Sequence, residues 1–481
     1  MEYTVYKTVL AKIISYDKSL ILLRGEKGLG KSYQLFHTLK KLNYNYVDID
    51  LGINKNIPCG SLIYNLHITP SEALFSELFY EKINSYISDN QVIVFSNFEQ
   101  CDPDAKLLIK SLVHYYASLT DINAKIIIEE NEKTELDNTN IFALLEIESR
   151  TKKELLDIAA SEINADKKII RKIVELSEGN IKKFQILCNV LGSIYGCPRE
   201  DGEKWNFSSI TILPGTFLSI YMNYYNIIND RLKPALKVIA TIGDNFYDEL
   251  LCKANISINR EIIHEIAKYQ TFIKCVRVDY SEVQDVMFKT NYHFILPEIQ
   301  TFIHICSKHN INQVLEEYYI YIKDLADSGS FSTRSYYDQI IILQSMINLR
   351  FENSVFIFDY YIRLMKIYYA KYAFESVINL HNRRDDYHNG NDNNIYNDYP
   401  EYRAMIQEAF ILTSRYDEAI NLKFDPSNTR EIFLTAKAYY LKANPLKALK
   451  LLDSYDNSTC FDALNLKASI YNWFSNMEKN N

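Results

Sequence analysis

Residues 20–32 read Leu20-Ile21-Leu22-Leu23-Arg24-Gly25-Glu26-Lys27-Gly28-Leu29-Gly30-Lys31-Ser32. The four apolar residues form a short run of the kind that makes a strand buried on both faces of a parallel sheet. The next eight residues fit G-x-x-x-x-G-K-[ST] at every fixed position. Gln34 to Leu42 then carries helix formers with apolar residues at helical spacing. Strand, glycine loop and helix is the context in which such a loop wraps a polyphosphate. Glycines let successive N–H groups point inward, and the following helix adds the positive end of its dipole. The expected contact set is Gly25, Glu26, Lys27, Gly28, Leu29, Gly30, Lys31, Ser32 and Tyr33. Lys31 is expected to reach the β- and γ-phosphates, and the Ser32 hydroxyl to ligate Mg²⁺.

Outward from this loop, residues 3–16 have helical spacing at Val5, Val9, Leu10, Ile13 and Ile14. Tyr46–Asp50, Gln91–Phe95 and Lys125–Ile128 read as further strands, Glu72–Ile87 as a helix, and Ala143–Ile147 as a short strand-like stretch. This alternation predicts a doubly wound α/β domain. Composition bounds the rest. A hydrophobic fraction of 47% over 481 residues is ample for several cores, and the length suggests about three domains. Lys plus Arg total 53 and Asp plus Glu 61, a net charge of −8 that argues against a nucleic-acid coat. The eight cysteines include no C-x-x-C pair and none beside a His at zinc spacing, so they read as mostly buried, reduced thiols. The sequence has no run of 18 apolar residues, and neither a signal peptide nor a membrane span is expected; a cytoplasmic location is expected.

The strand ending at Phe95 continues as Ser96-Asn97-Phe98-Glu99-Gln100. It resembles the "apolar strand, then D-N-x-E-Q/H" segment of the STAND branch of P-loop ATPases, the signal-transduction ATPases with numerous domains. Ser96 stands where that family has Asp. The resemblance makes Ser96 a holder of a magnesium-bound water without charge, and Glu99 either the catalytic acid or a substitute for the missing Asp, with a solvated helix-start residue as the alternative. Related ATPases place a γ-phosphate sensor at the end of the next strand, here Glu129-Glu130-Asn131, with an exposed loop as the alternative. Arg150 reads either as a phosphate contact or as a surface arginine. Thr151 opens helical patterns that continue near Lys167–Leu176 and Ile181–Tyr195. Between the last two, Ser177-Glu178-Gly179-Asn180-Ile181 resembles the family's "S-x-G-N-P" turn, with Ile181 replacing proline. That turn is implied to lie near the nucleotide, where Lys182 or Lys183 approaches the phosphates; a plain helix–helix turn is the other reading.

Residues 196–215 have linker composition. Short helices from Leu232, then strand candidates at Phe272–Val278 and Tyr292–Leu296, suggest a winged helix; the resemblance implies that it packs against the ATPase as a switch element, and reading DNA is the alternative. Residues 311–481 show helical spacing almost throughout. Ala409 and Ala438 stand 29 apart, as do Ala419 and Ala448, and Ala468 follows Ala438 by 30. This resembles tetratricopeptide-type repeats, whose period is about 34 residues. Lys371–Glu375 opens the second helix of an earlier unit, and His381–Pro400 reads as a long polar loop.

The expected order is an α/β P-loop NTPase core with a parallel sheet (1–148), a helical lid (149–200), a winged-helix-like domain (201–305) and an α-solenoid of repeats (306–481). It resembles a MalT-like STAND ATPase. The resemblance implies bound ATP or ADP with Mg²⁺, slow hydrolysis, nucleotide-dependent homo-oligomerisation, and a protein partner or effector engaged through the repeats. Regulation or bacterial antiphage defence is the implied setting. An AAA-type motor or loader acting on DNA and an ATP-stabilised scaffold without turnover are the competing readings.

Overall fold

The computed structural model describes residues 19–480, apart from 54–56, 69–75, 90–91, 119–124, 132–135, 137–140, 198–202, 244–245, 255–257, 269–270, 278–289, 296, 307–309, 350–353, 384–399, 423 and 456–459. The helix expected at 3–16 lies outside the described residues, as does most of the expected loop at 381–400. Residues 1–351 cluster as one compact unit and 352–481 as another.

In the first unit, β1 (Leu20–Arg24), β2 (Tyr46–Asp50), β3 (Val92–Ser96), β4 (Lys125–Glu130) and β5 (Ala143–Glu146) form a parallel sheet in the order β2-β3-β4-β1-β5. The inner strands are apolar because both faces are covered. Leu20 to Leu23, Val92 to Phe95 and Ile126 to Ile128 are each at most 4% exposed. β5 lies at the edge, and its Leu144 is 47% exposed. Helix α1 (Lys31–Lys41) packs Leu35 and Leu39, four residues apart, onto this sheet beside Leu23, Val94 and Ile127. Full burial of each leucine contributes roughly 1.5–3 kcal/mol.

Among the described residues the core has three further helices, α2 (Gly60–Leu66), α3 (Ser76–Asp89) and α4 (Pro103–Ala117). The segment expected to form a lid follows as α5 (Lys152–Glu162), α6 (Lys167–Leu176) and α7 (Ile181–Ile194). Thr151 and Glu154 close a reciprocal capping box at the start of α5. The stretch read as linker contains ordered backbone. β7 (Trp205–Asn206) pairs in parallel with β6 (Ile163–Asn164), and Trp205 is 5% exposed. A single large apolar side chain won burial there against the surrounding glycine and proline signals.

Next come α8 (Phe217–Ile227), α9 (Leu232–Ile242), α10 (Asp248–Ala254) and α11 (Arg260–Lys268). β8 (Phe246–Tyr247), β9 (Ile273–Arg277) and β10 (Thr290–Phe294) make an antiparallel sheet in the order β8-β10-β9. α12 (Pro297–Cys306), α13 (Asn312–Asp327) and α14 (Tyr336–Leu349) end the first unit.

The second unit is helical among the described residues. α15 (Ser354–Ala370) and α16 (Phe374–Asn382) pack together. α17 (Pro400–Leu412), α18 (Tyr416–Asn421), α19 (Thr429–Leu441), α20 (Pro445–Ser454) and α21 (Phe461–Asn480) follow. Ala409, Ala419, Ala438 and Ala448 are all fully buried. Ala468 is exposed, and Ala463 is buried in its place, so the spacing slips in the last helix. His381 belongs to α16 rather than to a loop; it is buried and its Nδ1 lies 2.9 Å from the Tyr402 hydroxyl. Fewer cysteines are buried than expected: Cys59, Cys101 and Cys188 are, whereas Cys197, Cys252 and Cys460 are half-buried and Cys275 is exposed. No described helix is long and apolar enough to cross a membrane.

Candidate nucleotide site

In an open parallel sheet the strand C-termini face one crevice, where ligands bind. The loop Gly25–Gly30 leaves β1 at that edge, and α1 begins at Lys31. Lys31 is 3% exposed. Its Nζ donates to Gly25 O (2.5 Å), Glu26 O (3.1 Å) and Asn131 Oδ1 (2.7 Å). Burial lowers its pKa, and the nearby Glu129 works against that shift. Ser32 Oγ donates to Glu129 Oε1 at 2.8 Å. Within the loop Leu29 turns into the core, while Glu26, Lys27 and Tyr33 are exposed.

The fixed motif alone did not place the acids around this lysine. Successive residues of a strand face opposite sides, and β4 runs two residues further than its apolar stretch suggested. Glu129 therefore turns toward Lys31, with a 3.8 Å separation, while Glu130 turns away and pairs with Arg24 at 2.6 Å. Both glutamates are buried, so the exposed-loop reading fails for them. Asn131 faces the site and is held from behind. Glu99 Oε2 accepts its backbone N–H at 3.1 Å, and Glu99 Oε1 accepts from its side chain. A chain of polar contacts thus runs from Lys31 through Asn131 to Glu99. Ser96 Oγ donates to Asp48 Oδ1 on β2 at 2.8 Å. Burial raises Asp48 to about 6, with the Ser96 bond opposing, and raises Glu129 to about 7, with Lys31 opposing.

The lid turn closes directly on the loop. Asn180 caps α7 by accepting from the Lys182 and Lys183 amides, and its Nδ2 donates to Lys27 O at 2.7 Å. The Lys182 amide also donates to Gly28 O at 3.1 Å. A β-carbon at Gly28, whose φ is +93°, would lie 2.4 Å from Asn180 Oδ1. One at Gly179 (φ +81°) would lie 2.8 Å from Arg150 O. The turn is therefore more than a helix connection: only glycine permits this approach. Arg150 is 7% exposed, which removes the surface reading. Lys183 pairs with Glu178, while Lys182 Nζ reaches Ile295 O at 3.4 Å, and burial lowers its pKa to about 8.

Loop, strand ends and lid enclose a cavity of about 580 Å³. Its polar wall holds Lys31, Ser32, Gln34, Glu129, Asn131 and Arg150; its apolar wall holds Ile158, Ile181, Phe184 and Trp205. Gly25, Glu26, Ser96 and Glu99 are not among its lining residues. Gln34 is 4% exposed, and neither amide atom has a hydrogen-bond partner. Buried polar atoms without partners fit a site shaped for a polar ligand. A phosphate-shaped loop at one end and apolar walls at the other fit a nucleotide.

The fold is that of a P-loop NTPase. No protein family and no curated protein matches the sequence of this P-loop chain. Among solved structures it is similar to a signal transduction ATPase with numerous domains carrying a tetratricopeptide repeat sensor, from Pyrococcus horikoshii. That pair is 13% identical over 96% of this chain and 70% of the other, with a TM-score of 0.38. A Walker-type ATPase of Pyrococcus abyssi is 15% identical over 63% of this chain and 95% of its own, with a TM-score of 0.33. Cdc6p from Pyrobaculum aerophilum is 12% identical over 62% and 93%, with a TM-score of 0.33. At these scores the functional reading rests on this chain's own residues.

Of the residues singled out in the sequence, Lys31, Ser32, Glu129 and Asn131 converge. Sequence reading passed over Gln34 and Trp205. Gln34 sits one turn into an amphipathic helix, where a polar residue on the buried face was the available signal.

Proposed function

We propose that this protein is a STAND-type nucleotide switch that binds ATP and hydrolyses it slowly. The observation that carries the reading is the clasp between loop and lid. Asn180 and Lys182 hold the carbonyls of Lys27 and Gly28, so the backbone that wraps phosphate is also the backbone that fixes the lid. A ligand that tightens this loop favours one lid position over another, and it shifts the population by its difference in affinity for the two.

Lys31 places its ammonium against the β- and γ-phosphates, the loop amides bind their oxygens, and Ser32 offers an oxygen to the cation. Mg²⁺, when bound, neutralises charge on the β- and γ-oxygens. Asn131 reports the γ-phosphate to Glu99, which accepts from the Asn131 backbone and side chain and serves as the acid that orients water. Ile158, Ile181, Phe184 and Trp205 offer apolar walls to the base. Residues 201–305 act as a winged-helix switch element. The helical pairs of the C-terminal unit serve as the sensor that engages a protein partner, and the nucleotide state governs homo-oligomerisation.

Calorimetry with ATP and ADP, and light scattering in each nucleotide, test this reading. Lys31→Ala is expected to lose about 2–5 kcal/mol of binding, the range for truncating one partner of a buried charge pair. Assembly that differs between ATP and ADP, with slow turnover indifferent to DNA, is the expected result. An identical mass in both nucleotides overturns the switch, and DNA-stimulated turnover favours the motor.

A further inference from the structure

The strand that ordinarily supplies the magnesium acid ends here in a serine, and the hydroxyl of Ser96 is turned to Asp48 at 2.8 Å. Another carboxylate reaches the loop instead. Phe95 and Ile128 are register partners, so Ser96 and Glu129 are the next residues on neighbouring strands. In the order β2-β3-β4-β1-β5, β4 lies between β3 and β1. Strands are about 4.8 Å apart, so an acid on β4 stands one strand from the loop and an acid on β3 stands two. Glutamate adds one methylene of reach, and Glu129 Oε1 accepts from Ser32 Oγ at 2.8 Å.

The other oxygen is the telling atom. Glu129 is 4% exposed and lines the cavity, and its Oε2 is buried without a hydrogen-bond partner. Asp48 and Glu99 add their negative fields to its own. Carboxylates gathered around one buried, unpartnered oxygen repel one another unless one takes up a proton or a cation sits among them. Lys31, at 3.8 Å, answers only part of that charge, because its hydrogen bonds go to Gly25, Glu26 and Asn131.

We infer that Glu129, on β4, holds the Mg²⁺ of the nucleotide together with Ser32, so that the acid missing at Ser96 has been replaced from the adjacent strand. This rests on the nucleotide-binding reading above and assigns the metal acid within it. Glu129 either ligates the cation directly or accepts from its water; the role in both cases is to bring the negative charge.

The test is the ratio of ATP affinities measured by calorimetry with Mg²⁺ and with EDTA. Wild type is expected to bind more tightly with Mg²⁺. Glu129→Gln is expected to remove about 10- to 100-fold of that gain, the usual effect of losing a residue that supports a metal. Glu129→Gln keeps the side-chain shape, and its thermal midpoint without nucleotide checks that the variant is folded. Adding Ser96→Asp to Glu129→Gln is expected to restore part of the Mg²⁺ gain by returning an acid to β3. If wild type binds no nucleotide, the proposed function itself falls. If wild type and Glu129→Gln gain equally from Mg²⁺, this assignment alone is overturned. Crystals of wild type soaked with Mn²⁺ and ADP give a check free of any variant. An anomalous peak beside Ser32 and Glu129 is expected, and a peak beside Ser96 and Asp48 overturns the assignment.

Discussion

At Gly28 an added β-carbon would meet Asn180 Oδ1 at 2.4 Å, whereas at Ala448 the β-carbon is present and fully buried in a cluster with Ala436, Leu452 and Ala463. Both regions use small residues, for different physical reasons. In the loop, smallness serves a left-handed backbone and a polar group pressed against it. In the helical unit it serves the distance between helices. The first demand is all-or-none, because no side chain fits and the φ is wrong for one. The second is graded, because helices can shift apart by fractions of an ångström.

The most severe way to break this contrast is Gly28→Ala. Positive φ disfavours the change by about 1–2 kcal/mol, and loss of the Asn180 cap adds about 1 kcal/mol. Nucleotide affinity and thermal midpoint are both expected to fall, and near-wild-type calorimetry would show that the clasp has slack. Ala448→Leu is expected to destabilise by about 1–3 kcal/mol through overpacking, read as a lower denaturation midpoint, with a smaller loss for Ala448→Val. An abrupt loss at valine would mean that the helical unit is as unforgiving as the loop. Asn180→Ala removes the clasp without forcing the backbone, and a loss of about 1 kcal/mol is expected. A wild-type midpoint there would place the lid's hold elsewhere.

The pH dependence of stability also separates the two units. Asp102 caps α4 by accepting from Ala105 N at 3.0 Å and from Cys59 N at 2.8 Å, and its Oδ2 has no partner. Burial, then the neighbouring Asp104, raises it from 3.8 to about 7. Its folded pKa exceeds its unfolded one, so its favourable contribution is complete below 3.8 and is lost as pH rises through about 7. Glu401 in the helical unit runs the other way. Lys366 lowers its pKa, so its contribution exists above 4.5 and disappears as pH falls. Asp102→Asn keeps the accepting oxygen and removes the titration. The midpoint difference between about pH 5 and about pH 8 should shrink in this variant; an unchanged difference would assign the pH response to other groups.

How much of this was legible follows from how locally each feature is encoded. β1, the loop and α1 are contiguous, and each step is dictated by its neighbours in sequence, so the reading of residues 20–42 holds in the structure. α6 likewise spans Lys167–Leu176 as its spacing indicated. The site's acids were harder. That Glu129 faces the loop while Glu130 pairs with Arg24 depends on where β4 stops, and strand ends are poorly marked in sequence. Trp205 was hidden by its glycine- and proline-rich flanks, although its burial depends on a two-residue pairing with Ile163 from a distant segment. Ala463 displaced Ala468 because several apolar residues of α21 compete to face α20, and period alone does not rank them.

The bonds of Lys31 have a thermodynamic corollary. Its ammonium already has three oxygen acceptors, two of them carbonyls of its own loop. Any incoming anion must displace these, so binding is an exchange of acceptors and not a simple addition. Such exchanges have small net free energies per contact, and a lone sulfate or inorganic phosphate gains little from them. Only a ligand long enough to collect the loop amides, the lysine and the lid together comes out well ahead. If the loop holds a polyphosphate as proposed, it selects for chain length in its ligand before any contact with a base is made.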